Sequence, residues 1–522
     1  MRRPTLFVIL LMAGIVVLAW WLPNLPRDAG PDFSPDEKIQ SVSFAPYRSG
    51  QSPLTGVFPT AAEVEADIAL LAPYVRGIRT YAAIEGDYDV AALAEKHGLK
   101  LWQGIWLGGD RAQNRREMDR AIAAARAHDT VERVIVGNEV LLRRDLPVAE
   151  LIADIDAVRA AVRQPVTYAD VWEFWQQFPQ VADHVDIVTI HLLPYWEDVP
   201  TGIDRAIDHV RETTQRMAAL FPGKKIAIGE TGWPSRGRAR ADAVPGRVNQ
   251  IAFIRRFLAL ASAEKFDANV IEAFDQTWKQ RGEGTVGANW GLWTADRQEK
   301  FVPRGRVVEN PAWPWHAALG VGLGLFLTAF GLGGARTTTI AMAAGAALGW
   351  AAVQTWPIAY DRWQMAACIV NLLAQALLAL GLVRRARDIA AGRRLPRSRT
   401  GADATLAIRV LSPRALGLDN LGFLFAWTAA VLQLLLLFDP RYRDFPTAVF
   451  AVPLVSIGAR AVFGDLPRGG GGRAEAWVGG TLMVAAIAGA VREGPLNLQA
   501  MVWAVCALVL AAPLLWRLAR AG

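Results

Sequence analysis

The chain has 522 residues, of which 52% are apolar, and a formal net charge of +7. That length leaves room for more than one domain, and the apolar share exceeds what a soluble globule usually carries. Between Arg384 and Arg414 nine arginines meet two aspartates, a surplus of seven that equals the net charge of the whole molecule. The basic balance is therefore a topology signal and points to no nucleic-acid partner.

The chain opens with MRRPTLFVILLMAGIVVLAWWL, two arginines followed by an apolar run from Leu6 to Leu22 that is just long enough to cross a bilayer. A cleaved signal peptide is the competing reading. The stretch before Pro26 shows no small-x-small cleavage pattern, which favours an uncleaved anchor over residues 1–23. Either way the following segment is expected on the far side of the membrane.

From residue 41 to about 276, strand-like and helix-like stretches alternate. The strand candidates are 41–46, 76–81, 99–106, 133–139, 165–170, 185–191, 225–230 and 269–276. Thr60 with Glu63 has the spacing of a capping box, as does Asn114 with Glu117, and Gly98 is placed to stop the helix before it. Eight β-then-α units in about 250 residues predict a (β/α)8 TIM barrel of class α/β, within a domain spanning 24–312. An open doubly wound sheet would show fewer strands or a glycine-rich phosphate turn.

Beyond residue 312 apolar segments recur at 315–334, 338–356, 363–383, 420–438, 446–463, 475–491 and 499–516, which predicts an all-α membrane domain of about seven spans over 313–522. Setting the arginine-rich loop in the cytoplasm puts Arg2, Arg3, Arg336, Arg468, Arg473, Arg517 and Arg520 there as well. The barrel then faces the periplasm of a bacterial inner membrane. Asn371 and Gln375 share one helical face and read as interhelical hydrogen-bond partners. Cys368 and Cys506 lie in predicted spans, and no CxxC, HExxH or clustered-histidine pattern occurs, so neither a metal nor another cofactor is expected.

In a TIM barrel the active site forms where the strands end. The polar and aromatic residues there are Arg79, Tyr81, Trp106, Asn138, Glu139, Asp170, His191, Glu230, Glu272 and Asp275. This ring of acids and aromatics suits sugar chemistry. Glycoside hydrolysis with retention needs one carboxyl group to protonate the leaving oxygen and another to attack the anomeric carbon, with a gap of about 5–5.5 Å between them. Glu139 and Glu230 end the fourth and seventh strands and can face each other across the mouth.

Five runs carry a resemblance. KIAIGETGWPSRG (225–237) resembles the signature of glycoside hydrolase family 17, the β-1,3-glucanase family of (β/α)8 barrels, and VIVGNEV (134–140) is similar to its acid/base segment. FAPYRSGQSP (44–53), RGIRTY (76–81) and EAFDQTWK (272–279) resemble its membrane-linked bacterial members. The resemblance implies Glu230 as nucleophile, Glu139 as general acid/base and Asn138 as the partner of the sugar 2-hydroxyl.

A structural reading stands beside each of these. Glu230 has the alternative of an ion pair with Arg79, and Glu272 and Asp275 of pairing with Lys279 or Arg281. Tyr81, His191 and Tyr195 are expected near the nucleophile. Trp233, within the signature, is expected to contact substrate, and Trp278, Trp290 and Trp293 offer stacking faces for glucose rings. Trp172, Phe174 and Trp175 are candidates for an acceptor platform.

Water or a sugar hydroxyl can resolve a glycosyl-enzyme. The membrane setting and the resemblance favour transfer, in the making of β-(1,3)/(1,6)-glucan beside a membrane glucan synthase, over an endo-1,3-β-glucanase. A glucan-binding component of an exporter is the alternative of another class.

Overall fold

The structure is a computed structural model that describes residues 3–34, 37–331, 334–393, 399–400, 417–466, 468–469 and 473–515. It divides into two compact units, Arg27–Val307 and a second made of Met1–Pro26 with Val308–Gly522.

The first unit is a closed barrel of eight parallel strands in sequential order. The strands are β1 Ser41–Ser43, β2 Gly77–Arg79, β3 Lys100–Ile105, β4 Val131–Asn138, β5 Val166–Val171, β6 Ile187–His191, β7 Lys225–Thr231 and β8 Asp267–Val270. Runs such as Val134–Val136 and Ile187–Ile190 are fully or almost fully buried, as expected of parallel strands covered on both faces. One core cluster extends from Ala29 to Val307.

Local signals account for several helix boundaries. Thr60 and Glu63 form the expected capping box at the start of the helix Ala61–Leu71. Gly98 follows the helix Val90–Lys96 at φ +69°, a left-handed stop that suits glycine. The second capping box is not made. The helix Arg111–Ala127 begins four residues earlier than the Asn114 signal implies, with Asp110 as its N-cap. Asn114 and Glu117 lie buried within it, where Glu117 accepts hydrogen bonds from the N–H groups of Ala83, Ile84 and Trp106.

The eighth strand is also shorter than its apolar pattern suggests. After Val270 the backbone N–H groups of Glu272, Asp275 and Gln276 turn to the carbonyls of Trp290, Trp293 and Ala288. A returning loop therefore takes over part of the pairing, while Ile271 and Ala273 still donate to the carbonyls of Thr231 on β7 and Ser43 on β1.

In the second unit, six helices are long and apolar enough to cross a membrane among the described residues: Pro4–Asn24, Trp313–Phe330, Arg362–Ala390, Leu418–Phe438, Arg473–Glu493 and Leu498–Leu515. The two other expected spans are also helical. One is Ala335–Thr355, diluted by Arg336 and four threonines, and the other is Ala451–Val462, only 12 residues long. Gln375 donates to Asn371 and accepts from the N–H of Val452, while Asn371 donates to the Val449 carbonyl. The expected pair thus does join two helical segments. Arg2, Arg517, Arg520, residues 394–398 and 401–414 of the arginine-rich loop, and Gly470–Gly472 lie outside the described residues.

Candidate active site

Two strand irregularities set up the mouth of the barrel. Along β4, three residues from Ile135 to Asn138 pass two on β5, and along β7, three from Ile228 to Thr231 pass two on β8. An extra residue in one strand bends it and re-aims the side chains that follow. On β4 the bulge includes Gly137 at φ +87° and leads into Glu139 at φ 52°, an unusual conformation for a residue with a side chain. On β7 it brings Glu230 level with His191 of β6.

Arg79, on β2, is 1% exposed and joins the cluster together. Its Nη2 donates to Asn138 Oδ1 at 2.5 Å. Its Nη1 lies 2.6 Å from the Gly229 carbonyl, 3.2 Å from Glu230 Oε1 and 3.3 Å from His191 Nε2. His191 Nδ1 is 2.9 Å from Glu139 Oε1. One carboxylate oxygen each of Glu139 and Glu230, with a ring nitrogen of His191, all lie within 4.8 Å of one another. Three such donors are also a potential metal set, but a cation, the Arg79 guanidinium, already lies against Glu230 and His191.

Burial pushes the Glu139 carboxyl up, yet the His191 bond and the nearby Arg143 and Arg79 outweigh it and hold it below its ordinary value. Tyr81 donates to Ser43 Oγ at 3.0 Å and lies under Arg79, while burial and the Glu230 charge raise its phenol.

Two buried ion pairs back this cluster. Lys279 Nζ reaches both oxygens of Glu272 at 3.1 and 3.2 Å, and burial pushes Glu272 up to about 7. Lys300 Nζ is 2.6 Å from Asp275 Oδ1, which also accepts from the N–H of Gly291. Lys279 is the partner expected for Glu272, whereas Lys300, not Lys279 or Arg281, takes Asp275.

Several sequence candidates sit elsewhere. Trp233 is fully buried, donates to the Val244 carbonyl and packs on Phe253. Tyr195 is 1% exposed, donates to the Arg238 carbonyl and packs edge-on against Trp233 and Trp290. Trp175, Trp290 and Trp293 are core residues as well. The apolar bulk of these rings decides their place, behind the mouth. Trp278 stays half-buried, edge-on to Tyr47 with ring centroids 6.2 Å apart.

One acid was missed. Glu283, on the helix Gln280–Ala288, is raised chiefly by burial, with the charges of Glu139 and Glu230 adding to it and Lys279 opposing. Its spacing of four from Lys279 was the available signal.

A (β/α)8 barrel with two carboxylates converging at the ends of β4 and β7 defines a barrel glycosidase. Residues 41–291 match the BtgE/BtgC glycoside hydrolase domain, and the homologues and structural neighbours of the barrel include enzymes of glycoside hydrolase family 17. It is similar to a glucan 1,3-β-glucosidase of Candida albicans, 26% identical over 260 residues that cover 45% of this chain and 84% of that protein. A glucan 1,3-β-glucosidase of Schizosaccharomyces pombe is 29% identical over 255 residues, covering 45% of this chain and 78% of that one. Among solved structures, a family 17 β-1,3-glucanosyltransferase from Rhizomucor miehei is similar at 24% identity and a TM-score of 0.44, covering 51% of this chain and 98% of that one.

Proposed function

We propose that the barrel is a retaining β-1,3-glucan transglycosylase in which Glu230 is the nucleophile and Glu139 the general acid/base. The observation that carries this reading is the approach of the two carboxylates, with oxygens within 4.8 Å. That suits a direct attack on the sugar and leaves too little room for the intervening water of an inverting enzyme, which needs about 6.5–9.5 Å.

In the first step a Glu230 oxygen bonds to the anomeric carbon. The bond to the leaving glucan oxygen breaks as Glu139 gives that oxygen its proton. In the second, an acceptor hydroxyl attacks the same carbon, Glu139 takes its proton and Glu230 departs as a carboxylate. Arg79 orients Glu230 and Asn138 together, placing the Asn138 amide to bind the sugar 2-hydroxyl beside the nucleophile. Tyr81, His191 and the Glu272–Lys279 pair border the reacting ring, Asp275 supports that wall, and Trp278 offers a stacking face further out.

Transfer is preferred because the barrel is carried on a chain that has, among the described residues, six helices apolar enough to span a membrane. An enzyme fixed there is suited to remodelling glucan as a membrane synthase releases it, in the periplasm of a bacterial cell. A hydrolase is the second reading, favoured by the glucosidase names of the relatives.

The detergent-solubilised full chain, incubated with a β-1,3-gluco-oligosaccharide and followed by mass spectrometry, separates them. Products longer than the substrate, absent with Glu230→Gln, are the expected result; only shorter products would make the protein a hydrolase. Glu139→Gln is expected to lose about 10²–10⁴-fold in turnover. Unchanged substrate with the wild-type chain would overturn both readings.

A further inference from the structure

The ring of His191 is placed to do more than line the mouth of the barrel. It is 0% exposed and stands between the two carboxylates, with Nδ1 2.9 Å from Glu139 and Nε2 3.7 Å from Glu230. Its proton placement follows from Glu139. An ionised carboxylate only accepts, so the Glu139 oxygen 2.9 Å from Nδ1 calls for the ring proton on Nδ1, with Nε2 turned towards Arg79 Nη1 at 3.3 Å. That proton points at Glu139. Gly229 gives the ring its space, since a Cβ there would lie 3.1 Å from His191 Cδ2.

We infer that His191 is a positioning residue that acts through Glu139, its Nδ1–H fixing the carboxylate in place and making it a stronger acid. The inference rests on Glu139 being the acid/base. A hydrogen bond to the charged form of a carboxyl favours that form. The consequence is a better proton donor whose protonated population falls away at a lower pH.

The groups facing Glu139 are His191 from β6, Arg79 from β2, Glu230 from β7, Tyr168 and Asp170 from β5, Arg143 from the turn after β4, and Glu283 from the helix Gln280–Ala288. The ionised acids among them act against a low Glu139 value. Only His191, Arg79 and Arg143 favour it, and of these only His191 hydrogen-bonds the carboxylate.

The test compares pH profiles of kcat/KM for the full chain in detergent, with the wild type, His191→Leu and His191→Asn. The alkaline limb reports deprotonation of the acid. It is expected to move up by about one pH unit or more in His191→Leu. His191→Asn keeps an N–H near the Nδ1 position and is expected to hold the limb near the wild-type value, a rescue that mere cavity filling does not predict. If His191→Leu fails to fold, His191→Gln, whose amide sits nearer the Nε2 position, replaces it with the same expected upward shift. An unmoved limb, or equal movement in the Asn variant, overturns the inference.

A parallel assay keeps the two readings apart. Glu139→Ala acting on an aryl β-glucoside with a good leaving group is expected to be rescued by azide, giving the β-glycosyl azide. Rescue with an unmoved His191→Leu limb sinks only the role of His191. No rescue removes the Glu139 assignment and this inference with it.

Discussion

Asp170 illustrates how closely supporting residues resemble catalytic ones. It is 0% exposed, accepts from the Tyr168 hydroxyl and from its neighbour's N–H at Val171, and burial pushes it up to about 6 from the ordinary 3.8. Its folded value lies above that of the unfolded chain, so its contribution to stability is complete below 3.8 and is lost as the pH rises through about 6. A shift of this size corresponds to roughly 3 kcal/mol. Denaturant titrations of wild type and Asp170→Asn at several pH values are expected to show that loss in the wild type and a flatter dependence in the variant; parallel curves would remove the assignment. Arg79 bears a heavier load, because Asn138 and Glu230 both depend on it. Arg79→Met leaves Glu230 buried without its cation and is expected to cost about 3–5 kcal/mol in barrel stability along with activity, read from the same titrations and from oligosaccharide turnover.

At the scale of elements, the bulges in β4 and β7 turn an ordinary parallel barrel into one with carboxylates aimed at each other. Gly137 is the point to test. At φ +87°, and with a Cβ that would fall 2.7 Å from Val140 Cγ2, Gly137→Ala is expected to destabilise the barrel by about 1–2 kcal/mol. It should lower kcat by a larger factor than that loss of stability explains, because Asn138 and Glu139 follow directly. Equal kcat in a folded variant would separate the bulge from the chemistry. The order of the strands and the positions of Glu139 and Glu230 were legible in the sequence because apolar runs alternate with amphipathic ones and each acid closes a run. The bulges were not, since their register depends on pairing with strands far along the chain. The aromatic residues left two readings open for a related reason: ETGWPS marks a strand end, but whether Trp233 faces sugar or Phe253 is decided by the helix Arg247–Glu264 packing behind it. The end of β8 was lost to the returning loop at 288–293, whose backbone pairing leaves no trace in hydrophobic periodicity.

Considered whole, the barrel unit has what an independent folding unit requires. Its sheet closes on itself with no open edge, one core runs through it, and no residue of that core lies outside Ala29–Val307. The two points where the chain enters and leaves it are paired directly, Arg27 and Val307 exchanging backbone hydrogen bonds of 2.8 Å in each direction. Arg255 strengthens this closure by donating to the carbonyls of Val302 and Gly305, so the last stretch of the unit is bound to the helix Arg247–Glu264. A segment with its own core and with its ends tied to each other loses few contacts on excision. Residues 27–307 expressed alone are therefore expected to fold cooperatively and to process soluble β-1,3-gluco-oligosaccharides with a kcat/KM within about threefold of the full chain. Circular dichroism melts and product analysis of the two proteins side by side check this. If the fragment folds but loses most of its turnover, the helices contribute to the chemistry; equal turnover leaves them the task of fixing where the product is made.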